Sequence, residues 1–70
     1  MTHQPVISTT MRSVGYDEDR HLLEIWFQTG KLYKYKKVPA DIFISLMQAE
    51  SKGKYFNDHI RDIFPFQEIL

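Results

Sequence analysis

The sequence predicts a small α+β domain in which a three-stranded antiparallel β-meander is followed by two α-helices that pack on one face of the sheet. Two observations predict this fold class. Between residues 11 and 38, apolar side chains alternate with polar or small ones, which is typical of strands that bury one face. Between residues 39 and 61, apolar side chains recur every three or four positions, as in helices with one buried stripe. The element order is therefore βββαα.

The first strand is predicted at Met11–Asp17, where apolar residues alternate with polar or small neighbours. The acidic residues that follow form a turn, and two more alternating segments cover residues 21–28 and 31–38. Residues 1–10 show no periodicity and contain a proline. We therefore expect a flexible N-terminal segment that pairs at most weakly with the sheet.

The loop between the second and third strands determines which side chains face the core. A two-residue turn would place Thr29, a β-branched residue, at positive φ, which is sterically unfavourable. A three-residue loop of residues 28–30 avoids this problem and ends with Gly30 in the left-handed conformation, as a G1 bulge. The resulting register contains three cross-strand pairs: Ile25 with Tyr33, Leu23 with Tyr35, and Glu24 with Lys34.

This register separates two faces of the sheet. The apolar face, which the helices should cover, carries Val14, Tyr16, Leu23, Ile25, Phe27, Tyr33 and Tyr35. The second face mixes an indole with cations and carries Trp26, Leu32, Lys34 and Lys36. Such a ring is suited to stacking on a nucleobase, and it is also suited to being covered by the C-terminal tail or by a second copy of the chain. The second interpretation is favoured.

Two helices follow the sheet. Pro39 at the first helical position, with an aspartate in the first turn, starts a helix that ends near Ala49. Its buried stripe consists of Ile42, Phe43, Leu46 and Met47. Ser51 is a good N-cap residue, so the second helix should begin near Lys52.

The length of 70 residues allows one domain. We expect it to cover residues 11–66, with a C-terminal tail at residues 67–70 whose apolar side chains pack on the domain or on a second copy. A chain this short buries only about 60% of its unfolded surface, so its core must be dense. Five Phe, four Tyr and one Trp supply large buried areas for such a core.

Composition excludes several classes of protein. The chain has no cysteine and its three histidines are scattered, so neither a disulfide framework nor a metal site is expected. It has no apolar run of about 18 residues and no signal peptide, which predicts a cytoplasmic protein without membrane contact. Nine basic and nine acidic residues cancel, which argues against coating nucleic acid by bulk charge, although residues 31–61 hold seven basic against three acidic residues.

The start of the second helix carries an unusual charge, because the positive end of a helix dipole favours acidic residues and here receives Lys52, Gly53 and Lys54. One interpretation is an anion site, in which the first backbone N–H groups and two ammonium groups hold a phosphate. The other is that Gly53 permits close packing against the preceding helix while the lysines are solvated. A Gly-Lys pair without P-loop spacing favours the second interpretation.

Several of these features together resemble the KTSC domain, a family named for an extension at the C-terminus of some lysyl-tRNA synthetases. The resemblance runs from Val14 to Phe66 and lies mainly in the segments YKYKKVP and SKGKYFNDHIR. Its matching positions are Tyr33, Tyr35, Val38, Pro39, Ser51, Lys52, Gly53, Tyr55, Phe56, Asn57, Ile60 and Arg61. The resemblance implies a small free-standing member of the family, and the synthetase association suggests RNA as its ligand.

These observations predict a non-catalytic module that binds RNA or another phosphate-bearing polymer and needs no cofactor. The predicted ligand-binding residues are Lys34, Lys36, Lys52, Gly53, Lys54, Asn57 and Arg61. The alternative is a protein-interaction or homodimerisation module, with Trp26, Leu32 and Phe66 at the interface. No enzyme is expected, because His59, the histidine nearest to these residues in sequence, has no nucleophile paired with it.

Overall fold

The computed structural model describes residues 1–70 and consists of one five-stranded antiparallel sheet with two helices on one of its faces. The strands are β1 (His3–Pro5), β2 (Met11–Asp17), β3 (Leu22–Phe27), β4 (Leu32–Tyr35) and β5 (Phe66–Glu68). Their order across the sheet is the order of the sequence. The helices, α1 (Ala40–Gln48) and α2 (Lys52–His59), lie between β4 and β5 in the chain.

The prediction of three strands was wrong, because the sheet gains a strand at each edge. β1 lies within residues 1–10, which were expected to form a flexible N-terminal segment, and it pairs with β2 so that His3 lies opposite Gly15. β5 overlaps the predicted tail and pairs Phe66 with Tyr35. Each edge strand has three residues, which is too short for a period-two pattern, and backbone pairing with a neighbouring strand therefore determines both.

The central hairpin confirms the predicted register. Ile25 lies opposite Tyr33, and the pairs on either side follow as expected. Gly30 has a φ of 91°, and the loop is closed by the Phe27 amide, which donates to the Lys31 carbonyl over 2.8 Å. β4 ends three residues earlier than predicted, since Lys37 adopts a φ of 62° and turns the chain toward α1.

Both helices form where the sequence predicts them. Pro39 occupies the N-cap of α1 rather than its first turn, and Ala49 is the C-cap. Ser51 caps α2, because its hydroxyl oxygen accepts a hydrogen bond from the Lys54 amide over 3.2 Å. Neither helix combines the length and the apolarity that a bilayer crossing requires.

The core lies between the helices and the predicted apolar face of the sheet. Nine side chains are buried there: Met11, Val14, Leu23, Ile25, Tyr35, Val38, Leu46, Phe56 and Ile60. Tyr16 closes one end, where its ring stacks on Phe43 at 4.8 Å and its hydroxyl donates to the Val38 carbonyl over 2.6 Å. Trp26 and Leu32 lie opposite each other on the second face and are partly exposed.

Candidate functional site

A cleft of about 500 Å³ opens between α2 and the edge of the sheet that β4 and β5 form. Its floor is aromatic and consists of Phe27, Tyr33, Tyr35, Phe56 and Phe66. Its rim is polar and consists of Thr10, Thr29, Lys31, Asn57, Arg61 and Asp62. An apolar concave floor with a few polar groups at its edge is the usual composition of a small-ligand site.

The five rings form one continuous array. Tyr33 stacks on Phe66 with ring centroids 5.5 Å apart and planes inclined by 17°. Phe56 meets Tyr35 edge-on at 5.6 Å and Phe27 edge-on at 5.3 Å. Buried edge-on contacts hold the inner rings, whereas Phe66 is 54% exposed at the mouth of the cleft. The array therefore has a rigid base and one accessible ring.

The two cations of the rim, Lys31 and Arg61, differ in whether an acidic side chain pairs with them. Lys31 forms an ion pair with Glu68 at 3.4 Å, and the same carboxylate accepts a hydrogen bond from the Tyr33 hydroxyl over 3.0 Å. Arg61 forms no ion pair, and its one side-chain hydrogen bond reaches Asn57 Oδ1 at 3.5 Å, the outer limit for such a bond. Arg61 is thus the available cation of the cleft.

The two tyrosines of the floor remain protonated over a wide range of pH. The hydrogen bond to Glu68 raises the pKa of Tyr33, with burial as the next cause. Burial raises the pKa of Tyr35, and the neighbouring Tyr33 adds to this effect. Neutral phenols place two hydroxyl groups and no negative charge in the floor.

The structure brings two of the seven predicted ligand-binding residues into this cleft, namely Asn57 and Arg61. Lys52 and Gly53 line a second cavity of about 430 Å³ beside the β1–β2 loop, and Lys54 lines a third, shallower one. Lys34 faces the other side of the sheet, opposite Glu24 and Gln67 in the neighbouring strands. Lys36 follows the end of β4, where it is exposed and its amide donates to the Pro65 carbonyl.

At the start of α2 each lysine has a partner within the chain. The Lys52 ammonium donates to the Ala49 carbonyl over 3.1 Å, and Lys54 pairs with Asp58 over 3.6 Å. A Cβ added at Gly53 would lie 3.2 Å from Thr10 Cβ and closer still to the Thr10 hydroxyl. The close packing that Gly53 permits is therefore made with the β1–β2 loop and not with the preceding helix.

The predicted interface residues lie on opposite faces of the sheet. Trp26 and Leu32 occupy the outer face, whereas Phe66 belongs to the aromatic floor of the cleft. The apolar tail residue that does lie on the outer face is Ile69. Its amide donates to the Leu32 carbonyl over 2.7 Å, and strand alternation points its side chain outward. Its side chain is 40% exposed.

A polar cluster that the sequence did not indicate joins three neighbouring strands on this outer face. His3 Nδ1 lies 3.0 Å from Ser13 Oγ, and His3 Nε2 lies 2.8 Å from Glu24 Oε1. With the proton on Nε2, the ring donates to Glu24 and accepts from the Ser13 hydroxyl. Hydroxyl, imidazole and carboxylate in this order can activate a nucleophile, but none of the three cavities is lined by these residues. The arrangement fastens β1 to the sheet.

Comparison with known proteins assigns the family. The family model of the KTSC domain matches residues 7–64. An uncharacterised protein of Stutzerimonas stutzeri is 42% identical over 71% of this chain and 70% of its own length. A lysine-tRNA ligase of Nostoc punctiforme is 33% identical over 87% of this chain, which corresponds to 11% of the ligase. The crystal structure of a KTSC domain protein from Yersinia pestis superposes with a TM-score of 0.96 and 38% identity, covering 99% of this chain and 97% of that one.

The matched residues include both helices, the three strands β2, β3 and β4, and every residue that lines the aromatic cleft except Phe66. The superposed structure has the same α+β architecture as this chain. The chain belongs to the KTSC domain family.

Proposed function

We propose that this domain is a non-catalytic module that binds single-stranded RNA, with the aromatic cleft as its principal contact. The observation that carries the proposal is the exposed Phe66 ring in the same cleft as Arg61, a cation that has no acidic partner. Stacking of bases on aromatic rings combined with cationic contacts to phosphates is how proteins bind single strands without a deep pocket. A base paired within a duplex cannot offer its face to Phe66, so the proposal is specific to unpaired RNA.

The second cavity continues the path of a bound strand. Thr10 lines both this cavity and the cleft, so the two are adjacent along α2. A strand that leaves the cleft past Thr10 reaches Gly53 and Lys52, where backbone N–H groups at the helix start face a phosphate. Lys34 in β4 and Lys36 just after β4 lie beyond this path, and they act on the bound RNA only through long-range attraction.

The relatives of this chain support RNA as the ligand class. Three of the matching proteins are named as lysine-tRNA ligases, and the chain corresponds to 10–11% of their length. A small domain attached to a protein that acts on transfer RNA has RNA within reach. This association supports the proposal independently of the cleft.

The test is fluorescence anisotropy with a labelled single strand of about ten nucleotides and with a duplex of the same sequence, each at two salt concentrations. We expect the single strand to bind more tightly than the duplex, and its affinity to fall with salt because bound cations displace counterions. Lys52→Ala combined with Lys54→Ala should weaken binding less than Arg61→Gln does, since both lysines already have partners in the chain. Absence of binding to either RNA, or a preference for the duplex, contradicts the proposal.

A second candidate function, homodimerisation, is favoured by the outer face. Trp26 and Leu32 lie opposite each other there, next to Ile69, whose side chain is 40% exposed. Sedimentation equilibrium should then show a dimer that Trp26→Lys converts to a monomer, because a charge cannot be buried at the centre of the contact. A wild-type chain that remains monomeric throughout the micromolar range excludes this candidate.

A further inference from the structure

We propose that the aromatic cleft holds one unpaired nucleotide, with the base stacked on Phe66 and the 5′-phosphate bound by Arg61, so that a free nucleoside monophosphate is a sufficient ligand. This inference rests on the proposed function and deepens it, because it names the unit of RNA that the cleft recognises. It predicts that most of the binding free energy comes from one nucleotide and not from a row of phosphates.

The dimensions of the cleft match a single nucleotide. Its volume of about 500 Å³ lies within the range of sites for one small ligand. The whole domain measures 27 × 25 × 23 Å, and the cleft is bounded on one side by α2 and on the other by β5. A duplex is too wide to enter this space, whereas one base turned out of a strand enters edge first.

The base-binding surface is already assembled. Phe66 is packed on Tyr33 on one side, with the planes inclined by 17°, and more than half of its surface is accessible. Tyr35 lies 5.8 Å from Phe66 and is itself held by Phe56. A base that stacks on Phe66 therefore extends an existing stack, and little side-chain freedom is lost on binding.

The phosphate-binding group lies on the opposite wall. Arg61 follows α2 and has no acidic partner, and the weak 3.5 Å contact to Asn57 is easily exchanged for a phosphate. A guanidinium offers parallel N–H donors that match two phosphate oxygens, which a lysine does not. When Arg61 moves to the phosphate, the Asn57 amide is released and can donate to and accept from the edge of the base.

The balance of charge around the cleft limits the ligand to about one phosphate. Lys31 is neutralised by Glu68, and Asp62 lies on the rim beside Arg61. The chain as a whole has no net charge. A long polyanion would therefore gain little beyond this phosphate and one at the start of α2, and the salt dependence of binding should be shallow, with a log–log slope between about −0.7 and about −1.4 for one or two contacts.

The experiment titrates the ¹⁵N-labelled chain with the four nucleoside 5′-monophosphates, with ribose 5-phosphate, and with a single strand of about ten nucleotides. We expect at least one monophosphate to shift the amide signals of Asn57, Arg61 and Phe66. Ribose 5-phosphate should bind about fivefold more weakly or worse, because it lacks the stacking contribution of a base. Arg61→Gln should weaken monophosphate binding about tenfold, since it removes charge-assisted hydrogen bonds to the phosphate.

Two matched controls separate the cleft from general effects. Lys54→Gln removes one positive charge from α2 at a position outside the cleft and should leave the affinity for monophosphates unchanged. Phe66→Leu removes the exposed ring and should weaken binding about fivefold or more, whereas Phe64→Leu removes a ring that does not line the cleft and should not. The amide spectrum of each free variant shows that it is folded.

The outcomes distinguish this inference from the proposed function. If the single strand shifts the amide signals of the cleft residues and no monophosphate does, the inference is overturned and RNA binding remains supported. Equal affinity for ribose 5-phosphate and every monophosphate also overturns it, because no base is then recognised. Binding of monophosphates without binding of the single strand supports the inference and overturns RNA as the ligand. Absence of all binding overturns both.

Discussion

Gly15 lies in the middle of β2, a position where glycine ordinarily weakens a strand. A Cβ at this position would lie 2.7 Å from the Cδ2 atom and 2.9 Å from the Nε2 atom of the His3 ring. The missing side chain thus allows His3 to lie flat on the sheet and to reach Ser13 and Glu24. At the scale of single residues, a glycine in one strand determines how the neighbouring edge strand is attached.

This arrangement predicts a coupling between two substitutions. Gly15→Ala should lower the free energy of unfolding by about 1–3 kcal/mol, because its methyl group overlaps the His3 ring. In a chain that already carries His3→Ala, Gly15→Ala should cost little or nothing, since the ring is gone and alanine is the better strand residue. Urea denaturation of the four variants measures this coupling. Equal costs of Gly15→Ala in both backgrounds would show that the ring does not need the space.

The edge strands differ from the inner strands in what holds them. β5 has three exposed residues and is attached through backbone hydrogen bonds, together with the Phe66 ring. Beyond its end the Leu32 amide donates to the Leu70 carbonyl over 3.3 Å. The core cluster contains no residue of β5, so the rest of the domain does not depend on this strand for its burial.

Deletion of residues 67–70 tests this independence at the scale of the element. The remaining chain should stay folded, while the Leu32 amide loses its protection from hydrogen exchange because its acceptor has been removed. The Phe27 amide serves as an internal control, because it donates to the Lys31 carbonyl within the central hairpin and should keep its protection. Global unfolding on deletion would mean that β5 belongs to the cooperative core.

The sequence predicts the elements that carry their own pattern and misses those that depend on a partner. The hairpin register follows from the conformational demand at Gly30, and the start of α2 follows from the cap at Ser51. The cleft could not be predicted as a unit, because its aromatic wall includes Phe66, whose place on the inner face depends on the pairing of β5 with β4. The cluster around His3 could not be predicted for the same reason, because the position of β1 depends on its pairing with β2 and not on a pattern in its own sequence.

At the scale of the whole molecule, aromatic residues connect the core to the cleft. Phe56 and Tyr35 belong to the buried cluster and also line the cleft floor. Phe66 lies on the edge strand β5, but the floor on which its ring packs is therefore part of the core. This gives the cleft the rigidity that a stacking surface needs, and it links ionisation of the cleft tyrosines to the stability of the fold.

This link predicts that the domain loses stability in alkaline solution. Burial raises the pKa of Tyr35 above its ordinary value of 10.0, and the pKa of Tyr16 is raised by burial and then by nearby acidic residues. A raised pKa in the folded state means that the unfolded chain releases these protons first as the pH increases. The stabilisation is thus fully present below about pH 10 and is lost as the pH rises toward the folded-state values.

Urea denaturation of the wild type and of Tyr35→Phe at about pH 8 and pH 11 measures this effect. The free energy of unfolding of the wild type should fall between the two pH values, and it should fall less for Tyr35→Phe, because phenylalanine keeps the ring but cannot ionise. Tyr35 makes no hydrogen bond through its hydroxyl within the chain, so the variant should be close to wild type at the lower pH. If both proteins lose the same free energy of unfolding, groups other than Tyr35 are responsible, and ionisation of Tyr35 does not contribute to the loss.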